Sequence, residues 1–114
     1  WQPAVDVQET VDAYHVQFDL PGVDVADLHV VARDRMLVLE GIKKPSGPAA
    51  GSRLLHSERP RGRFCRTVEF AESIDIDAVE NRYEQGVLSL RLPKRKQREE
   101  LTHGRIHIRI QTDE

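Results

Sequence analysis

Apolar and polar side chains alternate along much of this chain. Tyr14, Val16, Phe18 and Leu20 are separated by His15, Gln17 and Asp19. In extended backbone successive side chains point to opposite faces, so the pattern predicts a strand with one buried face, stopped by Pro21-Gly22. Val5 and Val7 predict a shorter strand before it. Leu28 to Ala32 and Met36 to Leu39 are β-rich runs on either side of Arg33-Asp34-Arg35, a spacing suited to a hairpin. Met36-Leu37-Val38-Leu39 is apolar on both faces and is expected to be central. Phe64, Val68 and Phe70 share one parity, and Leu88, Leu90 and Leu92 share another, ended by Pro93. Helical spacing shows only from Asp75 to Tyr83. Seven or more short strands without a long helix point to an all-β chain, an antiparallel β-sandwich.

Two segments break the alternation. Lys43 to Ser52 is rich in Pro, Gly, Ser and Ala and offers no face to bury, so it reads as a long loop. Inside the same loop Arg53-Leu54-Leu55-His56-Ser57 is a short apolar island, suited to pairing as an extra strand, including on a neighbour's sheet edge. At the other end, Lys94 to Glu100 is too polar for a core and reads as a tether. It leads to Ile106, Ile108 and Ile110, an apolar row facing away from His107 and Arg109. Such a row either docks in a groove elsewhere or folds back on its own sheet.

Composition narrows the function. A chain of 114 residues holds one core. With 32% charged residues and a formal net charge of -2, its overall field is weak, and nucleic acid is not an expected partner. The basic cluster Lys94-Arg95-Lys96 with Arg98 is followed at once by Glu99-Glu100 and carries no interleaved aromatic residues for stacking. No apolar run reaches the roughly 20 residues that span a bilayer, and the amino end lacks a basic-then-apolar signal. No membrane association and a cytoplasmic location are therefore expected, in agreement with the lone Cys65. Because the chain opens on Trp1, an amino-terminal arm ahead of it is also to be expected.

The order of several motifs carries a family resemblance over nearly the whole chain. Asp19-Leu20-Pro21-Gly22-Val23, Leu37-Val38-Leu39-Glu40-Gly41, Glu58-Arg59 with Gly62, Phe64 and Arg66, Gly86-Val87-Leu88 with Leu92-Pro93-Lys94, and Ile106-His107-Ile108 follow one another. Together with the opening Trp1 to Glu9, they resemble the α-crystallin domain of small heat shock proteins of the bacterial and plant type. Phe70-Ala71 stands where the family often has Leu-Pro, Asn81 replaces a frequent small residue, and Gln85 replaces the Asn that usually precedes Gly-Val-Leu. Gln tolerates a left-handed turn less well than Asn.

The resemblance implies an immunoglobulin-like sandwich over residues 1–94, with an exchange loop at 42–61, and an extension over 95–114 with an anchor at 106–110. It implies an ATP-independent holdase that binds partly unfolded client proteins, forms homodimers by loop exchange and builds larger oligomers by tail docking. Leu54, Leu55, Glu58, Arg59 and Arg66 are then candidates for the dimer interface. Ile106, Ile108 and Ile110 are candidates for the tail anchor, and Val30, Ala32, Val79 and Tyr83 for the groove that receives it. The last three isoleucines offer two overlapping docking registers.

Enzyme chemistry is not expected. The five histidines lack a metal-binding spacing, Cys65 has no evident paired base, and there is no Gly-rich phosphate loop. No catalytic, cofactor or metal residues are assigned. The rival to the holdase is a β-sandwich adaptor or co-chaperone that docks on one defined partner.

Overall fold

The computed structural model describes residues 1–45, 47–96, 108 and 110, and the backbone of 105–107. Eight strands occur among them: β1 (Val5–Glu9), β2 (Ala13–Asp19), β3 (Leu28–Arg33), β4 (Met36–Lys43), β5 (Gly62–Glu69), β6 (Glu80–Glu84), β7 (Val87–Pro93) and β8 (Arg105–Ile108). They form two four-stranded antiparallel sheets, ordered β1-β2-β7-β6 and β5-β4-β3-β8. The sheets pack face to face as an immunoglobulin-like β-sandwich.

The alternation read from the sequence builds the core. Tyr14, Val16 and Phe18 of β2 and Leu88, Leu90 and Leu92 of β7 meet Leu28, Val30 and Ala32 of β3 and Leu37 and Leu39 of β4, all buried. The Met36–Leu39 run lies in β4, which is central in its sheet between β3 and β5. A two-residue turn, Asp34-Arg35, joins β3 to β4, since Arg33 already pairs with Met36.

The helical spacing from Asp75 to Tyr83 does not become a helix. Ile76–Ala78 is a single 3₁₀ turn capped by Asp75, and the chain then extends into β6. Only Ile76 of the turn is buried, while Asn81 and Tyr83 of β6 cover the sandwich edge and Glu80, Arg82 and Glu84 face water. The expected tether also starts later than its polarity implied. Lys94 bridges to Ile74, its amide donates to the Asp12 carbonyl, and the Arg95 amide donates to the Ser73 carbonyl. The Lys94 ammonium lies 2.6 Å from Glu9 and 2.8 Å from Glu72, and 5.1 Å from the Tyr14 ring centre. Hydrogen bonding to Lys94 holds the Glu9 carboxyl below its usual range, and the two carboxylates raise that of Lys94.

Two sequence motifs meet at one end of the sandwich. Gln85 and Gly86, both with positive φ of 51° and 76°, turn β6 into β7, and the Leu20 amide donates to the Gly86 carbonyl at 2.7 Å. A Cβ on Gly86 would lie 3.1 Å from Pro21 Cα, so this turn packs on the Leu20-Pro21-Gly22 turn. Two successive left-handed residues favour Asn-Gly. Gln85→Asn is therefore expected to raise stability by about 0.5 kcal/mol, read as a higher urea midpoint at unchanged slope. A lower midpoint would show that Gln85 makes compensating contacts.

Candidate docking groove and exchange loop

Without a neighbour, β3 would present a row of unpaired backbone groups at the sheet edge, a template for any extended segment. β8 occupies that edge. The register sets Ile108 opposite Val30, His107 opposite Val31 and Ile106 opposite Ala32. Residues directly opposite in an antiparallel pair share a face, so Ile108 lies on the inner side with Val30. Ile108 and Ile110 are half-buried and pack against the core cluster. The side chain of Ile106 lies outside the described residues.

The other wall comes from the opposite sheet. β8 approaches the Ile76–Ala78 turn, and the adjoining Val79 and Tyr83 are half-buried against the same cluster. The Tyr83 hydroxyl lies 2.6 Å from the Leu20 carbonyl and 2.9 Å from that of Val23, and its one proton serves the two acceptors. Burial raises the Tyr83 pKa, so the ring is held as a neutral donor. Val30 and Ala32 thus lie on β3 opposite β8, while Val79 and Tyr83 pack against the same core cluster. Val30 and Ala32 are also buried in the core.

The long loop between β4 and β5 forms no strand among its described residues. Leu54 and Leu55 are 57% and 81% exposed. Within the single chain Glu58 and Arg66 do not meet: Glu58 lies 2.6 Å from His56 Nε2, and Arg66 on β5 donates to the Gln2 side chain at 3.2 Å. Arg59 instead reaches back to the Pro21-Gly22 turn. The edge strand β1 is exposed along Asp6–Glu9, with Val7 among the exposed apolar residues.

His29, Glu40 and Cys65 occupy one cross-strand row on β3, β4 and β5. Among the described residues no group of three or more His, Cys, Asp or Glu side chains is placed to hold a metal ion.

A family model described as the Hsp20/alpha crystallin family matches residues 6–111. The chain belongs to the Hsp20/alpha crystallin family. This Hsp20-family chain is 35% identical over 103 residues to the 18 kDa heat shock protein of Streptomyces albus G, covering 87% of the chain and 72% of that protein. It is 37% identical over 93 residues to spore protein SP21 of Stigmatella aurantiaca, covering 82% of the chain and 55% of that protein. The chain thus spans between 55% and 72% of the length of these two relatives. Among solved structures, it resembles hspA from Xanthomonas axonopodis with a TM-score of 0.72 and 33% identity, over 83% of the chain and 95% of that one. It resembles heat shock protein 16.0 from Schizosaccharomyces pombe with a TM-score of 0.79 and 28% identity, over 90% and 96% of the two chains.

Proposed function

We propose that this Hsp20-family chain is an ATP-independent holdase that captures partly unfolded proteins and keeps them from aggregating. The observation that carries the reading is the tail strand β8, which closes the β3 edge and seats Ile108 and Ile110 at the mouth of the core. A plug of that kind is displaceable, and its departure uncovers a sheet edge and apolar surface together. Membership of the family supports the same reading.

Assembly follows from the two unsatisfied features of the single chain. Residues 42–61 carry Leu54 and Leu55 out into water, and β1 leaves its outer edge unpaired, so a second copy can supply the missing strand partner. In such a dimer Glu58, Arg59 and Arg66 form polar contacts between copies, and tails dock on β3 edges of neighbouring dimers to build oligomers. The location proposed is the cytoplasm, where the exposed Cys65 stays reduced.

The test is light scattering of a heat-aggregating model protein, with and without a near-stoichiometric amount of this chain and with no ATP. The expected result is strong suppression of scattering for several unrelated clients. Aggregation at the unprotected rate for every client, even with the chain in large excess, would sink the holdase in favour of an adaptor.

A further inference from the structure

The tail leaves the sandwich at Lys94-Arg95, and this junction is fastened to two separate parts of the molecule. On one side it grips the connection from β5 to β6. The Lys94 ammonium lies 2.8 Å from the Glu72 carboxylate, and the Glu72 amide donates to the Tyr14 hydroxyl at 3.2 Å, so Glu72 is fixed through both side chain and backbone. The Arg95 amide donates to the Ser73 carbonyl and the Asp75 amide to the Pro93 carbonyl, each at 2.8 Å. On the other side the junction grips the turn that ends β3. Arg95 Nη1 lies 3.8 Å from Asp34 Oδ1, a buried oxygen that accepts no hydrogen bond among the described residues. The Asp34 carbonyl in turn accepts the Ile74 amide at 2.6 Å.

β8 lies against both of these parts. Asp34 follows Arg33, the β3 residue opposite Arg105 at the start of β8. Glu72 is followed by Ser73, Ile74 and Asp75, and the Asp75 carboxylate accepts the Asp77 amide at 3.3 Å, capping the Ile76–Ala78 turn that β8 approaches. Ile74, 2% exposed, pins this short run to the core, so a displacement at Glu72 is passed along to the turn. The second carboxylate on Lys94 is placed differently. Glu9, at 2.6 Å, ends β1, which lies at the opposite edge of its sheet from β6.

We infer that Lys94 is a positioning residue for the docking groove and acts through Glu72: the ion pair at the root of the tail holds residues 72–78 at the separation from β3 that lets a tail strand seat there. The inference rests on the tail docking proposed above. It holds whether the docked tail is the chain's own or a neighbour's, because the fastening lies outside both β8 and residues 42–61. An ion pair with one exposed partner adds little to the stability of the whole sandwich, so its loss loosens the segment it holds without opening the core.

The two carboxylates on Lys94 supply the test, because they are almost equally close to it and only Glu72 leads on to the groove. Glu9→Gln, Glu72→Gln and the unaltered chain are compared by hydrogen exchange, read at the β3 amides that face β8 and at the amides shared by β2 and β7 in the other sheet. Glu72→Gln should speed exchange of the β3 amides roughly threefold, the effect of one exposed ion pair, and leave β2 and β7 unchanged. Glu9→Gln should leave both sets unchanged, since Glu72 still holds Lys94. In a Lys94→Met background, which lacks both pairs, a further Glu72→Gln should change nothing more. The two glutamine variants carry the test alone if Lys94→Met fails to fold. Equal acceleration of β3 by both glutamine variants, acceleration of β3 together with β2 and β7, or no response to Glu72→Gln would overturn the positioning role while leaving the docking in place. Free exchange of the β3 amides in the unaltered chain would overturn the tail docking itself, and the inference with it.

Discussion

Replacing Gly41 with alanine should lower the stability of the sandwich by about 1–3 kcal/mol, a fall in melting temperature of roughly 4–20 °C for a domain of this size. Gly41 sits on β4 between Leu28 of β3 and Phe64 of β5. A β-carbon there would lie 2.4 Å from the Asp27 carbonyl oxygen and 2.8 Å from Phe64 Cζ. The first neighbour is backbone, in the 3₁₀ turn Val25–Asp27 that Asp24 caps, and it cannot rotate aside. The second is a buried ring stacked edge-on against Trp1, with centroids 5.1 Å apart. Relief therefore requires the turn or the ring to shift, and both are packed. Gly47 provides the control, since nothing lies within 4 Å of a β-carbon placed on it. Gly47→Ala should leave stability unchanged or raise it by about 0.4–1 kcal/mol through the unfolded chain. Thermal melts of the two variants decide the matter: equal melting temperatures would mean that the turn and the Phe64 ring yield freely.

That glycine also shows how far the sequence could be read. Met36 to Leu39 stood out as a central strand because it is apolar on both faces, but nothing in the string of residues indicated that the Asp27 carbonyl presses onto Gly41. The same limit applies to charge. Lys94 looked like the start of a solvated tether because its partners, Glu9 and Glu72, are brought to it only by strand pairing and the return of the 71–75 segment. Lys43 closes a strand and was read as loop for the same reason. The Asp75–Tyr83 segment misled in another way. Ile76, Val79 and Tyr83 fall three and four apart, which mimics a helix, yet Ile76 is buried from a turn while Tyr83 covers the edge of a strand. Where alternation was strict, as in Tyr14 to Leu20 and Leu88 to Leu92, burial followed it residue by residue because one sheet face suffices to explain it.

The tail holds the other large expected effect. In the assembly proposed above, replacing Ile108 and Ile110 with serine should reduce the particle to the proposed dimer, measured as molar mass by size-exclusion chromatography with light scattering. Full burial of an isoleucine contributes about 1.5–3 kcal/mol, and these two are half-buried, so together they supply roughly 3 kcal/mol per docking. Losing that weakens a single docking by about two orders of magnitude. Dockings within one assembly are linked through their high effective concentration, so the loss multiplies across the particle. Ile108 should matter more than Ile110 when each is changed alone. It lies within β8 opposite Val30 and belongs to both of the overlapping isoleucine pairs, whereas Ile110 lies beyond the strand. Hydrogen exchange supplies the complementary reading, because the β3 amides that face β8 lose their cover wherever the tail leaves. An unchanged mass together with unchanged protection of β3 would show that neither isoleucine holds the tail in its groove. Faster β3 exchange at unchanged mass would confine the tail to its own chain and leave oligomer building to the exchange loop alone.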